Sequence, residues 1–325
     1  MNERKTWNFI VAEDEAGERL DSWLAGRIPE LSRSRIQKAL AAGDVMVDRL
    51  PAGKASRGVR EGETVRISFS PPRPIEVAAE DIPVQIVYED GHLVVVDKPA
   101  GMVVHPAPGN ESGTLVNALL HRCGDLSGIG GYLRPGIVHR LDAGTTGLLV
   151  VAKDDETHIS LSRQIMERKV ERIYRALVWG RMPEHGGEID APIGRSPSDR
   201  KKMAVVAEGG RDAVTYYSVV DTLPPLQYIC LRLGTGRTHQ IRVHLSHMGR
   251  PVFGDPDYGG RRMRRGEMTG EEAGLARRAM ERIDRQALHA AELSFTHPAS
   301  GERMDFEAPL PADFRAAMDA LGGKF

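Results

Sequence analysis

Residues 135–153 read PGIVHRLDAGTTGLLVVAK and place a single carboxylate, Asp142, in a short polar turn between two apolar runs. The second run, residues 148–152, has the length and β-branched content of a buried strand. Gly144 and Gly147 flank a pair of threonines, so the backbone can turn sharply there and approach a ligand closely. The stretch therefore predicts a buried strand that carries an acid on a tight turn, a position suited to chemistry. The simpler alternative is an aspartate that only hydrogen-bonds its own turn.

The composition is that of an ordinary globular protein, with 41% hydrophobic and 27% charged residues in a chain of 325. This length favours two domains over one. The net charge of -1 argues against a uniformly basic nucleic-acid binder. The two cysteines, Cys123 and Cys230, form no CxxC pair and suggest neither a thiolate zinc site nor a disulfide framework. A reducing compartment fits, and we expect a cytoplasmic protein without a signal peptide or a membrane span.

The first part of the chain predicts a small unit over residues 14–75, with two short helices followed by strands. Its charge is uneven, because residues 27–60 hold eight basic and three acidic residues, a net charge of +5. Such a cluster is either a solvated surface or a site for the RNA backbone, and the residues favoured for RNA contact are Arg33, Arg35, Lys38 and Lys54. The proline-rich segment SPPRPIE, residues 70–76, predicts the boundary to a second domain over residues 80–325.

The second domain shows no regular βαβ period, which predicts a mixed or antiparallel sheet. Its residues also exclude several kinds of site. The four histidines at 139, 239, 244 and 247 lack metalloprotease spacing and lack Cys or Glu partners, so no metal is expected. No phosphate-binding glycine motif and no GxSxG elbow is present. We therefore expect neither a nucleotide cofactor nor serine hydrolysis.

Four further segments carry a resemblance. HRLDAGTTGLLVVAK (139–153), VVVDKPAGMVVHP (94–106), RIYRALVWG (172–180) and GRTHQIRVHLSHMGRPVFGDPDYGG (236–260) resemble signatures of the pseudouridine synthases that act on uridines in ribosomal and some transfer RNAs. Residues 19–49 and the run GETVRI (62–67) resemble the small RNA-binding domain first known from a small-subunit ribosomal protein. This family usually has Asn-Gly at the turn where this chain has Asp48 and Arg49.

The resemblance implies an α+β fold, in which a long mixed, largely antiparallel sheet with flanking helices follows a small α/β RNA-binding domain. It implies an isomerase that needs no cofactor and acts on large-subunit ribosomal RNA, free or within a pre-ribosomal particle. A monomer is the expected state. The family's essential aspartate corresponds to Asp142, its active-site tyrosine to Tyr174 and its basic partner to Arg242. The implied substrate contacts are His139, Arg140, Thr145, Thr146 and His239.

The reaction breaks the N1–C1′ bond of a uridine, turns the uracil, and joins its C5 to the same carbon. The positive charge of Arg242 is expected to keep Asp142 ionised for attack at C1′ or for proton removal at C2′. Tyr174 is expected to stack on the base and to guide proton removal from C5. Basic residues at 140, 168, 169, 172, 201 and 202 could hold phosphates. Two alternatives stay open, a non-catalytic RNA-binding or ribosome-assembly factor, and an acid–base hydrolase that uses Asp142 with His139.

Overall fold

The structure is a computed structural model that describes residues 5–28, 33–69, 77–107, 109–123, 126–127, 135–263 and 268–323. The chain divides into two compact units, Met1–Ile75 and Glu76–Phe325. The predicted proline-rich boundary, residues 70–76, lies outside the described residues. The division between the two units falls within this segment. Among the described residues, no helix is both long and apolar enough to cross a membrane.

The first unit is a four-stranded antiparallel sheet with two helices on it. The sheet has the order β1-β4-β2-β3. Its elements are β1 (Lys5–Ile10), α1 (Leu20–Arg27), α2 (Arg33–Ala41), β2 (Val45–Val47), β3 (Leu50–Pro51) and β4 (Thr64–Phe69). Strand β1 precedes the predicted start at residue 14 and pairs along its whole length with β4. Asp48 and Arg49 both have positive φ, as the tight turn between β2 and β3 requires.

A buried carboxylate joins the two helices of this unit. Asp21 is fully buried and accepts hydrogen bonds from Arg19, from Arg33 Nε at 3.1 Å and from Gln37 Nε2 at 2.7 Å. Because these partners come from the start of α1 and from α2, the charge of Asp21 is compensated where the helices meet.

The second unit is built on a nine-stranded sheet of order β5-β6-β7-β14-β8-β13-β12-β9, with β15 paired to β14. All pairs are antiparallel except β7 with β14, so the predicted mixed, largely antiparallel sheet is confirmed. The strands are β5 (Gln85–Glu89), β6 (Leu93–Lys98), β7 (Thr146–Ala152), β8 (Glu171–Trp179), β9 (Gly186–Asp190), β12 (Val214–Leu223), β13 (Leu226–Leu233), β14 (Leu288–Thr296) and β15 (Arg303–Glu307). A separate hairpin joins β10 (Ile193–Arg195) and β11 (Met203–Val205).

Helices cover both faces of this sheet, since alternate residues of the central strands point to opposite sides. Val94 and Val96 of β6 pack on one face with residues of α3 and α5, whereas Leu93 and Val95 pack on the other with Leu161 of α4. A further core beside α6 and α7 is centred on Trp179 and the wholly buried Phe314. The helices are α3 (Leu115–Cys123), α4 (Asp155–Met166), α5 (Gln240–His247), α6 (Gly270–Met280) and α7 (Ala312–Ala320).

Gly147 allows the close approach of β7 and β14, the parallel pair at the centre of the sheet. It pairs with Ala290, has a φ of 110°, and a Cβ there would lie 2.2 Å from the carbonyl oxygen of Ala290. Only glycine fits this contact. The strand that follows Asp142 is therefore fixed at the middle of the sheet.

Candidate active site

The turn that carries Asp142 is held through its backbone carbonyls. The oxygen of Asp142 accepts from the N–H of Thr145 at 3.0 Å. The oxygen of Ala143 accepts from the N–H of Gly101 at 2.9 Å, and that of Gly144 accepts from Arg285 Nη1 at 3.0 Å. Three consecutive carbonyls are thus fixed by hydrogen bonds, which holds the Asp142 side chain in a defined direction.

Lys98 lies beneath this turn and is fully buried. Its ammonium group donates to the carbonyl oxygens of Pro99 at 2.8 Å, Met102 at 2.9 Å and Ala143 at 3.1 Å. Burial lowers the pKa of Lys98 to about 7, against the opposing effect of the negative charge on Asp142. Lys98 therefore joins the turn after β6 to the turn of Asp142.

Arg242 brings together three carboxylates. Its Nη1 donates to Asp142 Oδ2 at 3.2 Å, its Nε and Nη2 donate to the two oxygens of Asp255 at 2.7 and 2.8 Å, and Nη2 also donates to Asp257 at 2.7 Å. Burial acts to lower the pKa of Arg242, but the hydrogen bonds and charge of Asp255, with smaller effects of Asp142 and Asp257, raise it above its ordinary value. The guanidinium carbon also lies 4.9 Å from the ring centre of Tyr258.

Helix α5 presents Arg242 and, just before its first residue, His239. His239 occupies the N-cap position with a left-handed φ of 57°, but its side chain does not cap the helix. The start of the helix is fixed instead by Gln240, whose buried amide oxygen accepts from the N–H of Arg237 at 2.9 Å and from the hydroxyl of Thr235 at 2.7 Å. This amide therefore ties the first residue of the helix to the loop that precedes it.

His239 lies beside the acid. Its Nε2 is 3.8 Å from Asp142 Oδ1, and its Nδ1 is 2.8 Å from the hydroxyl of Tyr258. Burial lowers the pKa of His239, and the charge of Asp142 opposes this shift. The positive φ of His239, uncommon outside glycine, marks backbone strain beside Asp142.

Tyr174 shares a cavity with Asp142 and Arg242. This cavity has a volume of about 510 Å³, which is within the range of small-molecule sites. Tyr174 is only 5% exposed, and burial raises its pKa, with Arg172 opposing and Asp142 adding to the shift. Two buried apolar residues, Ile241 and Leu288, pack in the same cluster as Tyr174 and also line the cavity.

The cavity is strongly basic, since Asp142 is the one acid among the described residues that line it. Its lining arginines are Arg140, Arg168, Arg172, Arg237 and Arg242. The other three basic residues considered from the sequence, at 169, 201 and 202, are not part of the lining. Such a cavity attracts a polyanion to a single carboxylate.

The predicted substrate residues divide into two groups. Arg140 and His239 line the cavity, with Arg140 exposed to solvent. His139 also lines it, but its Nε2 accepts from the N–H of Val150 at 3.2 Å. Burial, together with the charge of Arg172, lowers the pKa of His139 to about 3. A neutral ring engaged with the backbone does not support the hydrolase alternative.

The two threonines have partners within the protein. The hydroxyl of Thr145 accepts from Gln286 Nε2 at 3.2 Å, and the residue is 2% exposed. Thr146 Oγ1 lies 2.9 Å from Nδ1 of the buried His289, and Thr146 is not among the residues that line the cavity. The structure therefore gives no support to Thr146 as a substrate contact, because its hydroxyl is used within the core.

Of the residues expected to bind RNA in the first unit, Lys54 is exposed and Arg33 is half exposed in its pair with Asp21. Arg35 and Lys38 lie in α2, and their side chains are outside the described part of the structure.

Sequence reasoning gave no role to Asp255, Asp257, Tyr258 or Lys98. The only signal was that GDPDYGG and DKPAG stand within the segments that resemble the family. Their contacts with Arg242 and with the Asp142 turn depend on the tertiary fold, so spacing could not reveal them. Over the described ranges, no group of three or more metal-ligating side chains is arranged to hold an ion.

Comparison with known proteins agrees with this geometry. The family model for RNA pseudouridylate synthase matches residues 92–247. An uncharacterized RNA pseudouridine synthase of Chloroflexus aurantiacus is 49% identical, over 96% of this chain and 92% of that protein. The ribosomal large subunit pseudouridine synthase D of Zymomonas mobilis is 46% identical, over 97% of this chain and 98% of that protein. The chain belongs to the RNA pseudouridine synthase family.

Solved structures of the family support the same assignment. Human RNA pseudouridylate synthase domain containing 4 superposes with a TM-score of 0.54 at 27% identity, over 73% of this chain and 93% of that one. The human domain-containing 1 protein gives a TM-score of 0.52 at 26% identity, over 74% of this chain and 86% of that one. The protein is therefore an RNA pseudouridine synthase, an isomerase, and the non-catalytic alternative is not favoured.

Proposed function

We propose that this pseudouridine synthase modifies uridines of large-subunit ribosomal RNA, and that Asp142 carries the reaction. The observation that carries the proposal is the distance of 3.2 Å between Arg242 and Asp142 at the wall of a basic cavity. Similarity to the Zymomonas mobilis protein, whose name states its large-subunit substrate, supports the choice of RNA. The action would take place in the cytoplasm, during ribosome biogenesis.

Asp142 acts as a carboxylate with Arg242 as its counter-charge. Attack on C1′ and proton removal at C2′ both begin from this ionised group, and both detach uracil from the sugar. Arg242 cannot rotate freely, because Asp255 holds two of its nitrogens. Because the ion pair is already fixed, its electrostatic effect needs no reorganisation during the reaction.

Tyr174 forms the surface on which the flipped base lies. Its ring is buried in the same cavity wall, and its raised pKa keeps the hydroxyl protonated at neutral pH. A uridine reaches this depth only when it leaves its stack, at a cost of a few kcal/mol that is smaller in a loop. We therefore expect the modified uridines to lie in single-stranded or loop segments.

The exposed arginines at the cavity, Arg140 and Arg168, would contact phosphates on either side of the flipped nucleotide. The first unit would contact another part of the RNA through exposed cations such as Lys54 and Arg60.

The direct experiment is to map pseudouridines in ribosomal RNA from cells that lack this protein. Loss of particular pseudouridines from the large-subunit RNA, with recovery by the wild-type gene, is the expected result. An unchanged set of pseudouridines in that RNA would contradict the proposed substrate, and a loss confined to transfer RNA would redirect it.

A further inference from the structure

Arg172 is a buried cation for which the described residues offer no anion. Only 8% of the residue is exposed, and its Nε is buried without a hydrogen-bond partner. No described carboxylate lies within 4.0 Å of its nitrogens. Because an arginine keeps its positive charge in proteins, an unpaired buried guanidinium is costly. A buried charged group in a cavity is a candidate for binding a ligand that supplies the missing charge.

The position of Arg172 indicates where that ligand lies. Arg172 and Tyr174 are two residues apart on β8, so they point to the same face of the sheet, and both line the cavity of Asp142. The backbone of Gly236 packs against the guanidinium, since a Cβ there would be 3.1 Å from Nη1. The ligand of Arg172 is therefore placed beside the base that Tyr174 receives.

The depth of Arg172 distinguishes it from the exposed cavity arginines. Arg140 and Arg168 are exposed and are suited to backbone phosphates, which remain near solvent. Arg172 is buried in the wall, where the flipped base is the part of the substrate that reaches it. A phosphate contact at this depth would require the RNA backbone itself to enter the cavity.

The reaction creates an anion at this place. The electron pair of the C1′–N1 bond leaves with N1, so detached uracil carries one negative charge shared by N1, O2 and O4. When C5 attacks C1′, the electron pair of the anion forms the C5–C1′ bond, and Asp142 either leaves C1′ as a carboxylate or returns its proton to C2′, so the base becomes neutral. C5 then loses its hydrogen as a proton and N1 gains a proton. The anion thus exists only between the two bond changes.

We propose that Arg172 is a further catalytic residue, whose guanidinium binds the detached uracil anion through its oxygen atoms. The inference rests on the proposed function. A charge placed where negative charge develops lowers the barrier to bond cleavage, and the unpaired state of Arg172 before the reaction means that no ion pair must be broken.

The test compares Arg172→Met and Arg172→Lys with the wild-type protein in single-turnover reactions on a uridine-containing RNA. Arg172→Met is expected to slow conversion by ~10²–10³-fold, the loss typical of one anion-stabilising group, with the RNA dissociation constant changed only a few-fold. Arg172→Lys is expected to give an intermediate rate. Arg172→Met should melt at or above the wild-type temperature, because the unpaired charge is removed.

The same RNA with 5-fluorouridine at the target position separates anion stabilisation from other roles. Fluorine stabilises the detached base as an anion, so the defect of Arg172→Met should shrink at least several-fold when consumption of the nucleoside is measured after digestion. The inference would be contradicted by an equal defect with both bases, by a loss explained wholly by weaker RNA binding, by a lower melting temperature of Arg172→Met, or by full activity of that variant. A wild-type protein that forms no pseudouridine would contradict the proposed function instead.

Discussion

Arg242 is bound to Asp255 by two parallel hydrogen bonds, Nε to Oδ2 at 2.7 Å and Nη2 to Oδ1 at 2.8 Å. Asp255 is fully buried and does not line the cavity, so it acts on the site through the arginine and through the backbone of Asp257 and Tyr258, whose N–H groups donate to its Oδ1. The fork leaves Nη1 directed at Asp142. Bidentate pairing of this kind fixes the guanidinium plane as well as its charge.

Replacing Asp255 tests this positioning role. Asp255→Asn replaces one acceptor by a donor facing the guanidinium, so we expect a loss of stability of about 3–5 kcal/mol, as for other broken buried pairs. The rate of pseudouridine formation should fall with it. The control is Asp257→Asn, because Asp257 is 48% exposed and its pair with Arg242 should contribute no more than about 1 kcal/mol. Denaturant unfolding and single-turnover reactions would measure the two effects. Equal losses of stability and of rate in the two variants would contradict the prediction.

Arg242→Met leaves Asp142 and Asp255 without their shared cation. The free energy of unfolding should decrease by about 3–5 kcal/mol, and the activity should decrease as well. Arg242→Lys keeps the positive charge but cannot make the two parallel hydrogen bonds to Asp255. Its stability should therefore lie between those of the wild type and Arg242→Met. An unchanged melting curve with full activity in the Met variant would remove Arg242 from the site.

The buried Lys98 predicts a pH-dependent difference in stability. Its pKa falls from 10.5 to about 7 on folding, so between these values the unfolded chain holds a proton that the folded chain has released. Below pH 7 the ammonium group is charged in both states, so its burial lowers the free energy of unfolding by the full amount. This loss of stability becomes smaller as the pH rises towards 10.5. Wild-type stability relative to Lys98→Met should increase by up to about 1.4 kcal/mol per pH unit over this window. Unfolding curves of both proteins at about pH 6.5, 8 and 9.5 would measure this difference in stability. A difference that stays constant with pH would contradict the prediction.

RNA binding by the first unit predicts a change in salt dependence. Lys54→Gln combined with Arg60→Gln should weaken RNA binding at low salt. It should also reduce the slope of log affinity against log salt by about 0.7–0.9 for each phosphate that is no longer neutralised. Arg282→Gln, which removes an exposed cation of the second unit, is the matched control. A slope that is equal in the wild type and in both variants would mean that Lys54 and Arg60 do not bind the RNA.

Much of the fold could be predicted from the sequence, and the exceptions have physical causes. The strand predicted at residues 148–152 corresponds to β7, which begins two residues earlier and ends at the same residue, because an apolar, β-branched run marks it. Strand β14 was missed although it lies at the centre of the sheet, since LHAAELSFT has the alanine and glutamate content of a helix. Its strand conformation comes from pairing with β7, β8 and β15.

The site was predictable only in part. Asp142 stood out through its turn, but Arg242 is 100 positions away, and only the family resemblance connected the two. Asp255 and Lys98 act through other residues, from behind the cavity wall or beneath a turn. Contacts of that kind depend on tertiary packing, which no local pattern contains. The resemblance also assigned Thr146 to substrate, whereas packing directs its hydroxyl to His289.

The central claim is that the carboxylate of Asp142 detaches and reattaches the base. The most direct measurement is release of tritium from RNA labelled at uracil C5, with wild-type protein and with Asp142→Asn. Since the amide is nearly isosteric, the variant should fold and bind RNA nearly as the wild type does, yet release no tritium above background. Tritium release by the purified variant at a rate near that of the wild type would contradict the claim.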